Sequence, residues 1–343
     1  MKFPVDFSNK TFLISRTDSI GDVMLTLPLC VWIKRTFPFS KVIFLGSTYT
    51  LPVLECLPEI DEVWEFQSLQ NRPTAELNRF LQDAKIDICI HVFPKKEIAF
   101  WMKKARIPFR IGTSHRVFHF LTCNIRPNFT RKGSSLHESQ LNFELMRCLG
   151  LHQLPSLVEL SSYLSSFKVP FIDLPEALSQ FIESAQKIVL LHPKSQGSAL
   201  EWGIENYIEL SNQLLSEGYS VIFTGTEKEG IQFRHLIPNH SNCYDSTGKL
   251  SLSQLIVLIS KAQSLVACST GPLHIAGVLG IRAVGLFSPR IPIHPGRWQP
   301  LGSNVKVLVK DDKCPVCAVK KGCNCIESIP VSVVFDAISN DRI

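Results

Sequence analysis

Short apolar runs alternate with segments of helical length, and this alternation is laid down twice along the chain. In the first half the runs at 11–15, 41–46, 62–66 and 87–91 read as strands. Helical patterns at 21–36, 74–84, 95–104 and 136–149 lie between or after them. Around 161–175 the pattern dissolves into Ser, Pro and isolated aromatics, the composition of a linker. It then restarts with strands at 187–191, 220–224, 264–267 and 283–287 and helices at 205–216, 252–261 and 272–279. Strands separated by helices of this length pair in parallel, because a parallel connection has to cross over the sheet. The expectation is an α/β chain of two Rossmann-like parallel-sheet domains facing a cleft. Their bounds would be 1–165 and 175–325, followed by a C-terminal helix in 326–343.

Other classes are excluded early. The run 25–33 is interrupted by Thr26 and Pro28 and is far shorter than the ~20 apolar residues of a membrane span. Asp6, Asn9 and Lys10 break any signal-peptide core, so a cytoplasmic location is expected. The net charge of +6 is concentrated: between Lys95 and Lys132 ten Lys or Arg face one acid, Glu97. Such a segment is either a solvated basic face or an attractor of anions. No helix-turn-helix, zinc-finger or RNA-motif signature accompanies it, so nucleic acid is not an expected partner.

Three loops follow strands at the edge where α/β sheets bind ligands. The first, 16–22, contains Asp18, Ser19, Gly21 and Asp22. It lacks the GxGxxG spacing of a dinucleotide fold, and no GK[ST] phosphate loop occurs in the chain. Asp18, Ser19 or Asp22 either caps the following helix or, for Asp22, offers a carboxylate general base. The second loop, 192–198, carries Lys194 and Ser195, suited to an anion or to an ordinary turn. The third runs Ser269-Thr270-Gly271-Pro272-Leu273-His274. A Thr or Ser cap, a glycine and a first-turn proline suit a helix N-terminus that receives a phosphate. His274 is either structural or a donor to that phosphate.

Of eleven cysteines, seven lie in or beside apolar stretches and read as small core residues. Cys314, Cys317, Cys323 and Cys325 fall within twelve residues. They are either a structural zinc site or reduced thiols with a redox pair.

The motifs together resemble glycosyltransferase family 9, the ADP-heptose:lipopolysaccharide heptosyltransferases of the GT-B fold. The stretch from Ile14 to Pro28 is similar to the family's strand, "GD" loop and first helix. Leu191 to Tyr207 resembles its middle motif, and Ser269 to Gly280, STGPLHIAGVLG, its donor-phosphate loop. The resemblance implies that Asp22 is the catalytic base and that the first domain holds the acceptor. The second domain would hold a nucleotide sugar through Thr270, Gly271 and His274, with Ser269, Lys194 and Ser195 nearby. Leu200 stands where the family has a lysine, and Ser269 where an acid often opens the loop, so Lys194 is the alternative source of positive charge. The implied activity is inverting transfer of a heptose from ADP-heptose to a lipopolysaccharide-core acceptor, without a required metal or other cofactor. Ser19, Gly21, Arg106, Arg110 and Arg116, with His115 and Arg126, are candidate contacts for that anionic glycolipid. A basic first domain would also suit peripheral contact with the inner face of the inner membrane. The alternatives are a non-catalytic sugar-binding relative and a sugar-nucleotide epimerase.

Overall fold

The structure is a computed structural model, and its described residues are 7–319 and 323–339. The expected lack of an export signal falls partly on residues 1–6, and the end of the expected C-terminal helix falls on 340–343; both lie outside the described residues. The chain divides into two compact units, Met1–Lys168 and Val169–Ile343.

The first unit is built on a five-stranded sheet. Its strands are β1 (Thr11–Ser15), β2 (Lys41–Gly46), β3 (Glu62–Glu65), β4 (Ile88–His91) and β5 (Phe109–Ile111), in the order β3-β2-β1-β4-β5. The second has six: β6 (Ile188–His192), β7 (Ser220–Phe223), β8 (Cys243–Asp245), β9 (Ser264–Cys268), β10 (Arg282–Leu286) and β11 (Val305–Leu308), in the order β11-β10-β9-β6-β7-β8. Every pairing in both sheets is parallel. Helices cover such sheets on both faces, which is why the central strands are continuous apolar runs: Phe12, Leu13 and Ile14 in β1 and Val189, Leu190 and Leu191 in β6 are all fully buried. In the first unit the helix Lys96–Lys104 turns Ile98 and Met102, four residues apart, onto Leu13, Ile43 and Cys89.

The strands missing from the sequence reading are β5, β8 and β11. All three are short edge strands, half exposed, and so carry no apolar run. The helix expected over 21–36 is two, Ile20–Met24 and Pro28–Thr36. Pro28 has no N–H to give the Met24 carbonyl, and its ring would clash there. The Thr26 and Leu27 N–H groups both turn to the Val23 carbonyl, at 2.8 and 3.1 Å. The helix expected over 136–149 is α-helical only at Glu138–Phe143 and continues as a 3₁₀ segment, Glu144–Leu149. The helix Leu157–Tyr163 extends into the stretch read as linker.

In the second unit Trp202 anchors the packing. It is fully buried, lies edge-on to Tyr207 at 5.0 Å between ring centroids, and donates its indole N–H to the Ile329 carbonyl at 2.9 Å. That bond ties the stretch before the last helix, Val331–Ser339, to the core formed by β6, β7 and the helix Ile204–Ser216. Replacing Trp202 with Ala removes both the ring and the bond, and is expected to cost about 3–5 kcal/mol, measured as a lowered urea midpoint.

Candidate functional site

A parallel sheet binds ligands outside the carboxyl ends of its strands, where the strand order reverses and the two crossovers leave a crevice. In the first sheet the chain leaves β1 for β2 on one side and later adds β4 on the other, so the reversal lies between β1 and β4. In the second it lies between β6 and β9. The loops at these points are 16–19 after β1, running into the helix Ile20–Met24, 193–203 after β6, and 269–270 after β9, running into the helix Gly271–Leu279. These are the three loops that the sequence singles out.

The loop after β1 is organised by Arg16. Its guanidinium donates to Asp18 Oδ1 at 2.7 Å, to Asp22 Oδ1, and to Glu138 Oε1 at 3.3 Å. Arg16 and Glu138 side chains are only 4% and 2% exposed, so a cation here is tolerable only with its partners in place. Burial works against the charge on Arg16, but Asp22, Asp18 and Glu138 outweigh it and push its pKa up. Arg131 also donates to Glu138, and reaches the Asn142 carbonyl oxygen at 3.0 Å and the Val92 carbonyl at 3.2 Å. Two cations thus face three carboxylates.

Ser19 caps the helix Ile20–Met24, its hydroxyl accepting the Asp22 N–H at 3.4 Å and donating to Asp22 Oδ2. The cap therefore belongs to Ser19, and Asp22, on the first turn, has one oxygen held by Ser19 and the other by Arg16. The turn after β2 holds the loop from outside: Ser47 donates to the Thr17 carbonyl and Tyr49 to the Asp18 carbonyl, each at 2.6 Å. Where the helix breaks before Pro28, Asn142 donates to the Leu25 carbonyl and to the Thr26 hydroxyl, each at 3.1 Å.

In the second unit Glu201 governs the loop after β6. It accepts from Lys194 at 3.0 Å, and from both the N–H and the hydroxyl of Ser195 at 3.0 Å. Lys194, expected from the sequence to meet the donor, is thus paired with Glu201 here. His192 ends β6 against the Thr224 hydroxyl at 2.9 Å, and burial lowers its pKa against the pull of Glu229 and Glu201. At the turn after β9 the Leu273 and His274 N–H groups point to the Thr270 carbonyl, and Pro272 has none. The Thr270 side chain does not cap the helix Gly271–Leu279, and among the described residues its buried hydroxyl has no hydrogen-bond partner. The turn thus offers a phosphate-type ligand the Thr270 hydroxyl and the Gly271 backbone. Ser269 is half-buried beside them, and His274 is buried on the first helical turn.

The basic candidates separate. Arg116 precedes the helix Val117–Thr122 after β5, on the carboxyl edge that carries Asp22. Arg106 sits in the turn before β5, at the opposite edge, and is not brought to the loop. Arg110 donates to the carbonyls of Thr122, at 2.6 Å, and Ile107, holding its own connection together. Sequence reasoning gave no role to Arg16, Arg131, Glu138, Asn142 or Glu201. Only Arg16, inside the first loop, and Glu201, within the stretch Leu191 to Tyr207, carried a local signal.

Burial raises Asp18 to about 6 against the pull of Arg16, with the Asp22 carboxylate adding to the rise. The native chain therefore keeps this proton well above the ordinary value of 3.8 at which the unfolded chain loses it. The Asp18 contribution to stability falls as pH rises from about 4 to about 6. Asp18→Asn is expected to flatten that part of the profile of urea midpoint against pH.

The profile of Glycosyltransferase family 9 (heptosyltransferase) matches residues 137–325, more than half of the chain. The chain is 23% identical to the lipopolysaccharide core heptosyltransferase OpsX of Haemophilus influenzae, over 87% of this chain and 84% of that protein. A solved family 9 glycosyltransferase from Veillonella parvula superposes with TM-score 0.76 at 19% identity, covering 97% of each chain. The E. coli ADP-heptose lipopolysaccharide heptosyltransferase II superposes with TM-score 0.72 at 18% identity, covering 96% of this chain and 97% of that one. With its two parallel-sheet domains of the GT-B type, the chain belongs to glycosyltransferase family 9, the heptosyltransferases, and is a transferase enzyme.

Proposed function

We propose that this enzyme transfers a heptose from ADP-heptose to a lipopolysaccharide-core acceptor with inversion at the anomeric carbon. The observation that carries the reading is Asp22: a carboxylate at the reversal point of the first sheet, its two oxygens oriented by Arg16 and Ser19. Asp22 takes the proton of the acceptor hydroxyl as that oxygen bonds to the anomeric carbon. The bond from that carbon to the diphosphate breaks, and the nucleotide leaves with the electron pair. A positioned base is worth roughly 10²–10⁴-fold in rate. Arg16 acts through Asp22 as a positioning residue.

The first unit takes the acceptor, with Ser19, Gly21 and Arg116 as its nearest candidates, and the second takes the donor. Thr270, Gly271 and His274 receive the diphosphate, where the helix Gly271–Leu279 directs its positive end. Ser269, Ser195 and Lys194 border that position, with Lys194 available once a stronger anion displaces Glu201. The donor is named from the similar E. coli ADP-heptose lipopolysaccharide heptosyltransferase II and from the motif resemblance. The step as written uses no cofactor.

Among the described residues no helix is long and apolar enough to cross a membrane. The short helix Val117–Thr122 nevertheless exposes Val117, Phe120 and Leu121 between Arg116 and Arg126. Apolar side chains among cations suit peripheral contact with an anionic bilayer, on this reading at its cytoplasmic face. Phe120→Ser with Leu121→Ser is expected to lower the fraction that sediments with phosphatidylglycerol vesicles severalfold.

The donor is tested by thermal unfolding with ADP-heptose, ADP, UDP-sugars and GDP-sugars. A ligand at ~100 times its Kd stabilises the native state by ~2.7 kcal/mol, and the shift is expected with the ADP ligands alone. Asp22→Asn is expected to lower kcat by about 10²–10⁴-fold while leaving the ADP-dependent shift in place. Unchanged turnover in that variant removes Asp22 as the base.

A further inference from the structure

The four cysteines 314, 317, 323 and 325 play no part in the transfer, yet the fold brings them to one point. Their sulfur atoms all lie within 4.8 Å of one another. Cys314 and Cys323 sulfurs are 3.6 Å apart and those of Cys323 and Cys325 3.1 Å apart. All four thiols are free. A tetrahedral ion with metal–sulfur bonds of about 2.3 Å requires sulfur–sulfur edges of about 3.8 Å, which the observed separations bracket. The other seven cysteines are distributed through the two units as ordinary packing residues.

Packing does not account for the arrangement. The quartet lies between β11 and the last helix, where among the described residues only Cys317, Ile326 and Ile329 are buried apolar side chains. Thiols are weak hydrogen-bond donors and hold one another poorly. A polar segment with so small a core of its own gains most from a ligand that crosslinks it.

We propose that Cys314, Cys317, Cys323 and Cys325 bind one tetrahedral zinc ion, each thiol giving up its proton on binding. Four sulfur ligands and no water leave no open position, so the site is structural. It holds the segment at two places. Cys317 sulfur lies 3.6 Å from the hydroxyl of Ser288, just beyond β10, and β10 pairs with β9, the strand that leads into the Thr270 turn. On the other side the segment runs into Ile326, Glu327 and Ile329, which are held by the core, by Asn206 at 2.9 Å and by Trp202. The ion thus fixes the connection between the carboxyl edge of the second sheet and the last helix.

The test is elemental analysis of the full chain, purified under reducing conditions without added metal. Zinc is expected at about one per chain. After stripping with a chelator, cobalt(II) is expected to restore one equivalent with the visible absorption and thiolate charge-transfer bands of a tetrahedral sulfur site. Cys317→Ser with Cys323→Ser is expected to abolish both signals, whereas Cys243→Ser, outside the quartet, retains them. The proposal is overturned by substoichiometric metal with four freely alkylated thiols, by a disulfide within the quartet in the reduced preparation, or by iron in place of zinc.

Discussion

A guanidinium group buried among three carboxylates holds the carboxyl edge of the first sheet together. Asp18, Asp22 and Glu138 come from a loop and from a helix far along the chain, and without Arg16 their mutual repulsion would push them apart. The five donors of the planar guanidinium can serve all three at fixed angles, which an ammonium group cannot do. Since Arg16 directly follows β1, the register of that strand sets where the charge lies. Arg131 brings a second cation to Glu138, and Asn142 ties the same helix to the helix break before Pro28. The orientation of Asp22 is therefore set by the packing of a whole domain.

The two sheets solve one topological problem with different chemistry. Each leaves its crevice beside its first strand, where the strand order reverses. In the first sheet that crevice is lined by ionised groups that hold one another. In the second it carries His192, whose pKa burial lowers, a lysine and carboxylate already paired, and a Thr270 hydroxyl with no hydrogen-bond partner among the described residues. A buried hydroxyl without a partner costs roughly 1–3 kcal/mol, a cost that an incoming oxygen ligand removes. The chain is a family 9 glycosyltransferase, and on the function proposed above the first crevice would meet the acceptor and the second the donor.

The class of fold was legible because parallel strands buried on both faces are written as apolar runs, and β1, β2, β4, β6, β7, β9 and β10 all are. The edge strands β5, β8 and β11 were illegible for the converse reason: their pairing rests on backbone bonds with a neighbour, and their side chains are half in water. Asp22 and Thr270 were legible because turns before helices draw on few residue types. Glu138 and Arg131 were not. Each is an ordinary charged residue in sequence, and its role exists only once the chain has folded across more than a hundred residues to Arg16. The helix break at 25–27 could have been drawn from Pro28 alone, since proline in a helix interior removes a bond that nothing in the apolar pattern reveals.

The pairing of Lys194 with Glu201 bears on how this loop meets charged molecules. A cation and an anion 3.0 Å apart form a dipole whose field fades quickly in salt water, so from a distance the loop is nearly invisible to an anion. A weakly charged visitor leaves the pair intact, whereas a multiply charged one can compete with Glu201 for the ammonium group. The strength of that one ion pair is what an anion would have to outbid at the ammonium group.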